Sequence, residues 1–348
     1  MWFSRNKKAG ALVAIAASAA LLLSGCSGGT DSADGGSGDA GGSGESVSVT
    51  FLPKNLGNPY FDTSSKGGKA AVEAFGGTFN EVGPAEATPD AQVSFINTAT
   101  QQGVDALAVS ANDPKAICDA LNEARDAGIK VVTFDSDTNT DCRDLFVNQA
   151  DAAGIAKVQV DMIAEQIGDE GQIAVLSAAA NATNQNAWID MMKEELKASH
   201  PKIELVEVVY GDDDDQMSFD KTAALLQTYP ELKGIVSPTT VGIAAAARYL
   251  STSDAKGKVA LTGLGTPNQM REYVEDGTVT EFALWNPEEL GYLTAYAADA
   301  LVAGDITGAE GDTFEAGDLG EYTVGKDGVV LLGDPYRFNT ENIGDFDF

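Results

Sequence analysis

The chain has 348 residues, with 53 acidic against 22 basic side chains and a formal net charge of −31. That balance argues against nucleic acid and against anionic lipid surfaces as partners, because both are bound through clustered Lys and Arg. It implies no cationic ligand, since the excess acid is spread over expected helix faces and loops.

In chain order, the first element is an apolar run, Ala9 to Leu23, preceded by Arg5, Lys7 and Lys8 and ending in Leu23-Ser24-Gly25-Cys26. A basic start, a short apolar stretch and small residues at a cleavage point make an export signal. The run is too short and too rich in Ala and Gly to span a membrane comfortably. Leu-Ser-Gly-Cys resembles the lipobox of bacterial lipoproteins. That implies a lipoprotein signal peptide over residues 1–26, with Cys26 as the lipidation site; the alternative is an ordinary signal peptide that contains a Cys. In the next segment, 27–46, 13 of 20 residues are Gly or Ser. Such a segment buries no core and forms a flexible tether with a reach of about 25 Å. The expected location is the extracytoplasmic face of the cell membrane, held by a lipid anchor, with a soluble body.

The body, from Val47 onward, alternates short apolar runs with longer amphipathic stretches. Predicted strands cover Val49–Leu52, Ala106–Val109, Lys130–Phe134, Gln172–Leu176, Ile203–Val209, Gly234–Val236, Lys258–Leu261 and Val279–Leu284. Several are apolar without alternation, as in Val131-Val132-Thr133-Phe134, which is the pattern of strands covered on both faces. Predicted helices lie between them at Ala91–Gln102, Ala116–Ala127, Ile155–Ile167, Trp188–Ala198 and Gly291–Val302. This spacing gives βαβ units and an α/β fold of two doubly wound, mostly parallel-sheet lobes.

Polar-Pro pairs recur where helices begin: Asn58-Pro59, Thr88-Pro89, Asp113-Pro114, Thr266-Pro267 and Asn286-Pro287. A capping side chain followed by Pro at the first helical position satisfies one orphan donor and removes another. Most of these pairs follow a strand directly, so they line the carboxyl edge of a sheet, where open α/β sheets bind ligands. For Thr88 and Asp113 the plain helix-start reading suffices.

Besides Cys26 there are Cys118 and Cys142. In an exported chain this even pair suggests a disulfide, whose loop closure stabilises by roughly 3 kcal/mol in the chain-entropy model. Two free buried thiols are the alternative; a zinc site is poorly served by two Cys and the distant His200.

Enzymatic signatures are missing from the sequence. His200, the single histidine, sits at an expected helix end. No G-x-S-x-G elbow, P-loop or H-E-x-x-H occurs. Gly263-Leu264-Gly265 begins like a dinucleotide fingerprint, but position 268 is Asn. Ser253-Asp254-Ala255-Lys256 matches S-x-x-K without its companion motifs. The run Asp212 to Asp215 lacks the spaced ligands of a calcium loop and reads as a solvated turn. No enzyme, metal or cofactor is expected.

Six segments carry a resemblance: Pro53-Lys54-Asn55-Leu56-Gly57-Asn58-Pro59-Tyr60-Phe61, Ser110-Ala111-Asn112-Asp113-Pro114, Phe134-Asp135-Ser136-Asp137, Ala182-Thr183-Asn184-Gln185-Asn186, Pro238-Thr239-Thr240-Val241-Gly242 and Phe282-Ala283-Leu284-Trp285-Asn286-Pro287. Together they resemble the rhamnose-binding proteins of ABC transporters, of the ribose-binding-like class, over Val49 to Phe348. Autoinducer-2 receptors are similar too, sharing the Cys pair and the Asp135 segment.

The resemblance implies a type I periplasmic binding protein whose lobes close on a monosaccharide and hand it to permease subunits. Lys54 would donate to sugar oxygens and Asp135 accept from two hydroxyls. Tyr60, Phe61 and Trp285 would offer flat apolar faces. Asn58, Asn184, Gln185, Pro238, Thr239, Thr240 and Asn286 complete the implied ligand set. Autoinducer-2 receptors carry an acidic residue where this chain has Asn184. Ribose-type binders usually carry an Asp at the strand end held here by Leu264-Gly265, an apolar spot suited to the methyl of a 6-deoxy sugar. Three crossings near Gln149–Ala152, Phe282–Asn286 and Asp318–Tyr322 would divide the body into one lobe of 47–150 plus 285–320 and another of 151–284 plus 321–348. The expected function is a monomeric rhamnose-binding protein of an importer; the alternatives are an autoinducer-2-type receptor and a ligand-sensing transcription regulator, the last lacking any DNA-binding headpiece.

Overall fold

Residues 46–348 are described by a computed structural model. The expected signal peptide, Cys26 and all but the last tether residue lie outside the described residues. Among the described residues no helix is long and apolar enough to cross a membrane.

The first half alternates β1 (Ser48–Leu52), α1 (Pro59–Ala74), β2 (Thr78–Glu81), α2 (Pro89–Gln102), β3 (Ala106–Val109), α3 (Cys118–Asp126), β4 (Lys130–Phe134) and β5 (Leu145–Asn148). The second half repeats the alternation with α4 (Ala152–Ile167), β6 (Gly171–Ser177), α5 (Thr183–Ser199), β7 (Ile203–Tyr210), α6 (Asp215–Thr228), β8 (Leu232–Ser237), α7 (Thr240–Ser251), β9 (Ala260–Gly263), α8 (Pro267–Glu275) and β10 (Phe282–Leu284). The remainder comprises α9 (Pro287–Ala303) and the short strands β11 (Thr313–Glu315), β12 (Glu321–Thr323), β13 (Val329–Leu331) and β14 (Tyr336–Phe338).

The first sheet has the order β13-β5-β4-β3-β1-β2, parallel throughout. Every residue of β3 is buried, as is all of β4 after Lys130, which fits a sheet covered by helices on both faces. The second sheet, β7-β6-β8-β9, is also parallel and continues through a single Leu264–Ala283 bridge to the antiparallel pair β10-β14. Both halves therefore follow one doubly wound pattern. Strand order reverses beside β1 in one sheet and beside β6 in the other, and the carboxyl ends of the strands at these points form the crevices.

Helices α1 and α9 approach closely where Gly67 and Gly291 present no side chain. A Cβ on Gly67 would lie 1.8 Å from the Glu288 carbonyl oxygen, and one on Gly291 1.8 Å from that of Ser64. Cys118 and Cys142 are joined by a disulfide that ties α3 to the turn before β5, with Cα atoms 5.2 Å apart.

The pairings correct the expected lobe boundaries. The chain passes between sheets after β5 and after β10, near the expected places, but the third passage comes later than Asp318–Tyr322. β13 pairs with β5 in the first sheet, and the Leu332 amide donates to the Asn148 carbonyl at 2.9 Å. The expectation that all of 321–348 joins the second lobe fails because the apolar Val329-Val330-Leu331 completes the open edge of β5. The change of sheet follows at 332–335, before β14. The expected strand Val279–Leu284 is shorter, with β10 starting at Phe282. Asp113 accepts from the Lys115 and Ala116 amides, yet helix α3 begins only at Cys118.

Candidate functional site

A small cleft lies where the carboxyl ends of the two sheets face each other. Lys54 follows β1, Asp135 follows β4, Asp213 follows β7, Pro238 and Thr239 follow β8, Leu264 follows β9, and Leu284 ends β10. The strand-end rule thus accounts for most of the lining.

The polar part of the lining is built around Asp135. Its Oδ1 accepts from the Tyr60 hydroxyl at 3.1 Å and its Oδ2 from the Ser110 hydroxyl at 2.8 Å. Tyr60 is held in turn by the Trp285 indole N–H, which donates to its oxygen at 2.9 Å. The Ser136 amide donates to the Phe134 carbonyl at 2.6 Å, and Asp135 between them has φ 61°. The tight turn puts the aspartate at a left-handed φ, which Asp and Asn adopt more readily than other non-glycine residues. Buried Gln92 braces the site from behind. Its amide donates to the carbonyls of Pro53 and Ser110 and accepts from the Asn112 amide, which fixes the ends of β1 and β3.

Lys54 bridges the lobes. Its Nζ donates to Asn184 Oδ1 at 3.0 Å and Gln185 Oε1 at 3.4 Å, while Asp135 Oδ2 lies 3.9 Å away. Asn184 donates back to the Asp135 carbonyl at 3.3 Å, and Asn181 to the Asn112 carbonyl at 3.2 Å. The cleft is therefore closed across its middle by polar side chains.

Burial pushes the Asp135 carboxyl up from its ordinary 3.8, against the pull of Lys54 and of the hydrogen bonds from Ser110 and Tyr60. Burial also raises Asp213, and the charges of Asp135 and Asp212 add to that rise while Lys54 and Thr239 oppose it. Tyr60 is raised well above 10.0 by burial first and then by the Asp135 charge, so its hydroxyl stays a neutral donor. Nothing in this arrangement couples a nucleophile to a base. It can hold a polyol.

The lining also carries apolar side chains, Leu264, Leu284, Trp188, Trp285 and Pro238. Trp285 meets Trp188 edge-on at 6.0 Å and Tyr60 at 6.1 Å, and Tyr60 meets Phe61 at 5.1 Å. These contacts fix the ring planes that a ligand would meet.

Of the expected ligand residues, the cleft brings together Lys54, Asn58, Tyr60, Phe61, Asp135, Gln185, Pro238, Thr239, Thr240 and Trp285. Asn58 has a second task, because its Oδ1 accepts from the Tyr60 amide as the cap of α1. Asn184 is not among the lining side chains and instead accepts from Lys54. Asn286 is not among the side chains that line the cleft, and its Oδ1 accepts from the Glu288 and Glu289 amides at the start of α9. The expected solvated turn at Asp212–Asp215 holds for its exposed members. Asp214 caps α6 and Asp215 pairs with Arg248, but Asp213 turns into the cleft. Asp213, Trp188 and Leu284 were missed. For Asp213 the signal is its place in the loop at the carboxyl end of β7, three residues past Tyr210.

The periplasmic binding protein domain family matches residues 49–306, and the chain belongs to it. A sugar ABC transporter structure from Actinomyces odontolyticus is 56% identical, with a TM-score of 0.72 over 87% of this chain and 98% of that one. An ABC transporter solute-binding protein from Clostridium phytofermentas with bound L-rhamnose is 43% identical, with a TM-score of 0.84 over 86% and 98%. LsrB from Clostridium saccharobutylicum in complex with AI-2 is 27% identical, with a TM-score of 0.82 over 87% and 100%. The chain is a binding protein of this extracytoplasmic family and not an enzyme.

Proposed function

We propose that this chain is the lipid-anchored, monomeric solute-binding protein of an ABC sugar importer, and that its sugar is rhamnose. The observation that carries the reading is the mixed lining of one small cleft. Lys54, Asp135 and Thr239 offer donors and acceptors for ring hydroxyls, and Leu264, Leu284 and Trp285 offer apolar surface. A 6-deoxyhexose has the same mixture: ring hydroxyls and one methyl. A hydroxyl placed against the apolar surface without a partner costs roughly 1–3 kcal/mol. The likeness to the rhamnose-bound solute-binding protein supports the same choice.

Closure follows from the bonds between lobes. Ligand contacts added to the Lys54–Asn184 and Lys54–Gln185 bonds favour the closed arrangement over an open one, and the closed form presents both lobes to the permease. A thermal-shift screen of rhamnose, mannose, ribose and autoinducer-2 tests the reading. A ligand at 100 times its Kd raises stability by about 2.7 kcal/mol. The largest shift is expected with rhamnose; a shift with autoinducer-2 alone would replace the transport reading with a signal-receptor one.

A further inference from the structure

Four consecutive aspartates, Asp212 to Asp215, follow β7, and one of them behaves unlike the rest. Asp212 and Asp213 both adopt left-handed backbone, at φ 53° and 52°. The turn is fixed by amides donating inward, Gly211 to the Ser177 carbonyl at 2.9 Å and Asp212 to that of Ala178 at 3.2 Å. The Asp214 amide donates to the Gly211 carbonyl, also at 2.9 Å. The result points Asp212 and Asp214 outward and Asp213 into the cleft, facing Lys54 and Asp135 from the opposite lobe.

The Thr239 hydroxyl donates to Asp213 Oδ1 and so fixes the carboxylate plane. The cleft then holds two carboxylates and one ammonium. A ligand rich in hydroxyl donors suits that excess of acceptors; a ligand bringing further acceptors does not.

We infer that Asp213 is the second lobe's recognition residue, accepting a ring hydroxyl of the sugar through the Oδ2 that Thr239 does not hold, opposite the hydroxyls taken by Asp135. The inference rests on the reading that the cleft takes a neutral sugar. It makes the sugar a bridge between carboxylates of different lobes, so that closure over an empty cleft brings two like charges together while closure over a sugar separates them with donors.

Calorimetric titration of rhamnose and its monodeoxy analogues, against wild type, Asp213→Asn and Asp212→Asn, decides the point. Asn tolerates left-handed backbone and keeps an acceptor for Thr239, so the turn survives; thermal melts check this. Rhamnose should bind Asp213→Asn at least tenfold more weakly than wild type and bind Asp212→Asn within twofold. One monodeoxy analogue should lose at least tenfold on wild type and almost nothing further on Asp213→Asn, the mark of a hydroxyl paired with that carboxylate. A merely structural Asp213 would weaken every analogue equally, and that result, or an unchanged affinity for rhamnose, overturns the inference while leaving the function standing. If wild type ignores rhamnose and binds ribose, the choice of sugar is wrong, and the same comparison with ribose and its deoxy analogues decides on Asp213.

Discussion

Lys54 Nζ and Asp135 Oδ2 lie 3.9 Å apart on the same lobe, close enough to feel each other's charge and too far to hydrogen-bond. Each therefore keeps bonding capacity that a ligand can take up. The donated bonds of Lys54 run instead to Asn184 and Gln185 of the other lobe. One ammonium thus answers to the carboxylate beside it, to the opposite lobe and to the ligand.

Lys54→Met is expected to remove binding by more than a hundredfold. It deletes a charge-assisted donor, worth roughly 1.5–3 kcal/mol per bond, and leaves the carboxylates of the cleft without their counter-charge. It also deletes both bonds from Lys54 to the second lobe. Small-angle scattering of the variant with saturating sugar should retain the radius of gyration of the ligand-free protein. Ligand-dependent compaction in Lys54→Met would contradict this.

Asp135→Ala should abolish sugar binding, with at least a hundredfold loss, and leave the protein folded. Asp135→Asn should melt higher than wild type without ligand, because it removes a buried charge and Asn accepts φ 61° readily. Thermal melts and calorimetry on the same samples read both effects.

The pH dependence has a definite sign. Burial raises the Asp135 carboxyl in the folded state above its ordinary 3.8, so the native protein binds more protons than the unfolded chain between those two values. Stability from this group is present at low pH and is lost as pH rises through the raised value. The advantage of Asp135→Asn over wild type in melting temperature should therefore grow from about pH 4 upward and then level off. An advantage independent of pH would place the carboxylate in water.

At the α1–α9 crossing, Gly291→Ala should destabilise by about 1–3 kcal/mol, since its Cβ would meet the Ser64 carbonyl and two backbones must part. Gly154→Ala, in the first turn of α4, meets nothing nearer than 3.8 Å and should stabilise by up to about 1 kcal/mol. Urea unfolding of the two variants gives opposite shifts of midpoint if the close approach is real.

Much of this architecture was legible because buried parallel strands are written as unbroken apolar runs, as in Val131-Val132-Thr133-Phe134, and because Asn58-Pro59 and Asn286-Pro287 mark helix starts at strand ends. The strands from β11 to β14 are only three residues each, too short to carry a period, and the third passage between sheets was misplaced for that reason. Lys54, Asp135 and Thr239 come from the family resemblance, and their places at strand ends agree with where open α/β sheets bind ligands. At Asn286 cap and ligand residue look alike in sequence, and the acidic neighbours of Asp213 read as solvent-facing. Trp188 was hidden inside a helix, where an aromatic at helical spacing reads as core.

The central claim is that the apolar side chains of Leu264, Leu284 and Trp285 select a methyl over a hydroxymethyl group. Titration of wild type with rhamnose and with mannose of the same hand, which differs only by the 6-hydroxyl, tests it most directly. The account predicts that rhamnose binds at least tenfold more tightly, as expected from about 1.4 kcal/mol or more for an unpaired hydroxyl. Equal affinities would contradict it.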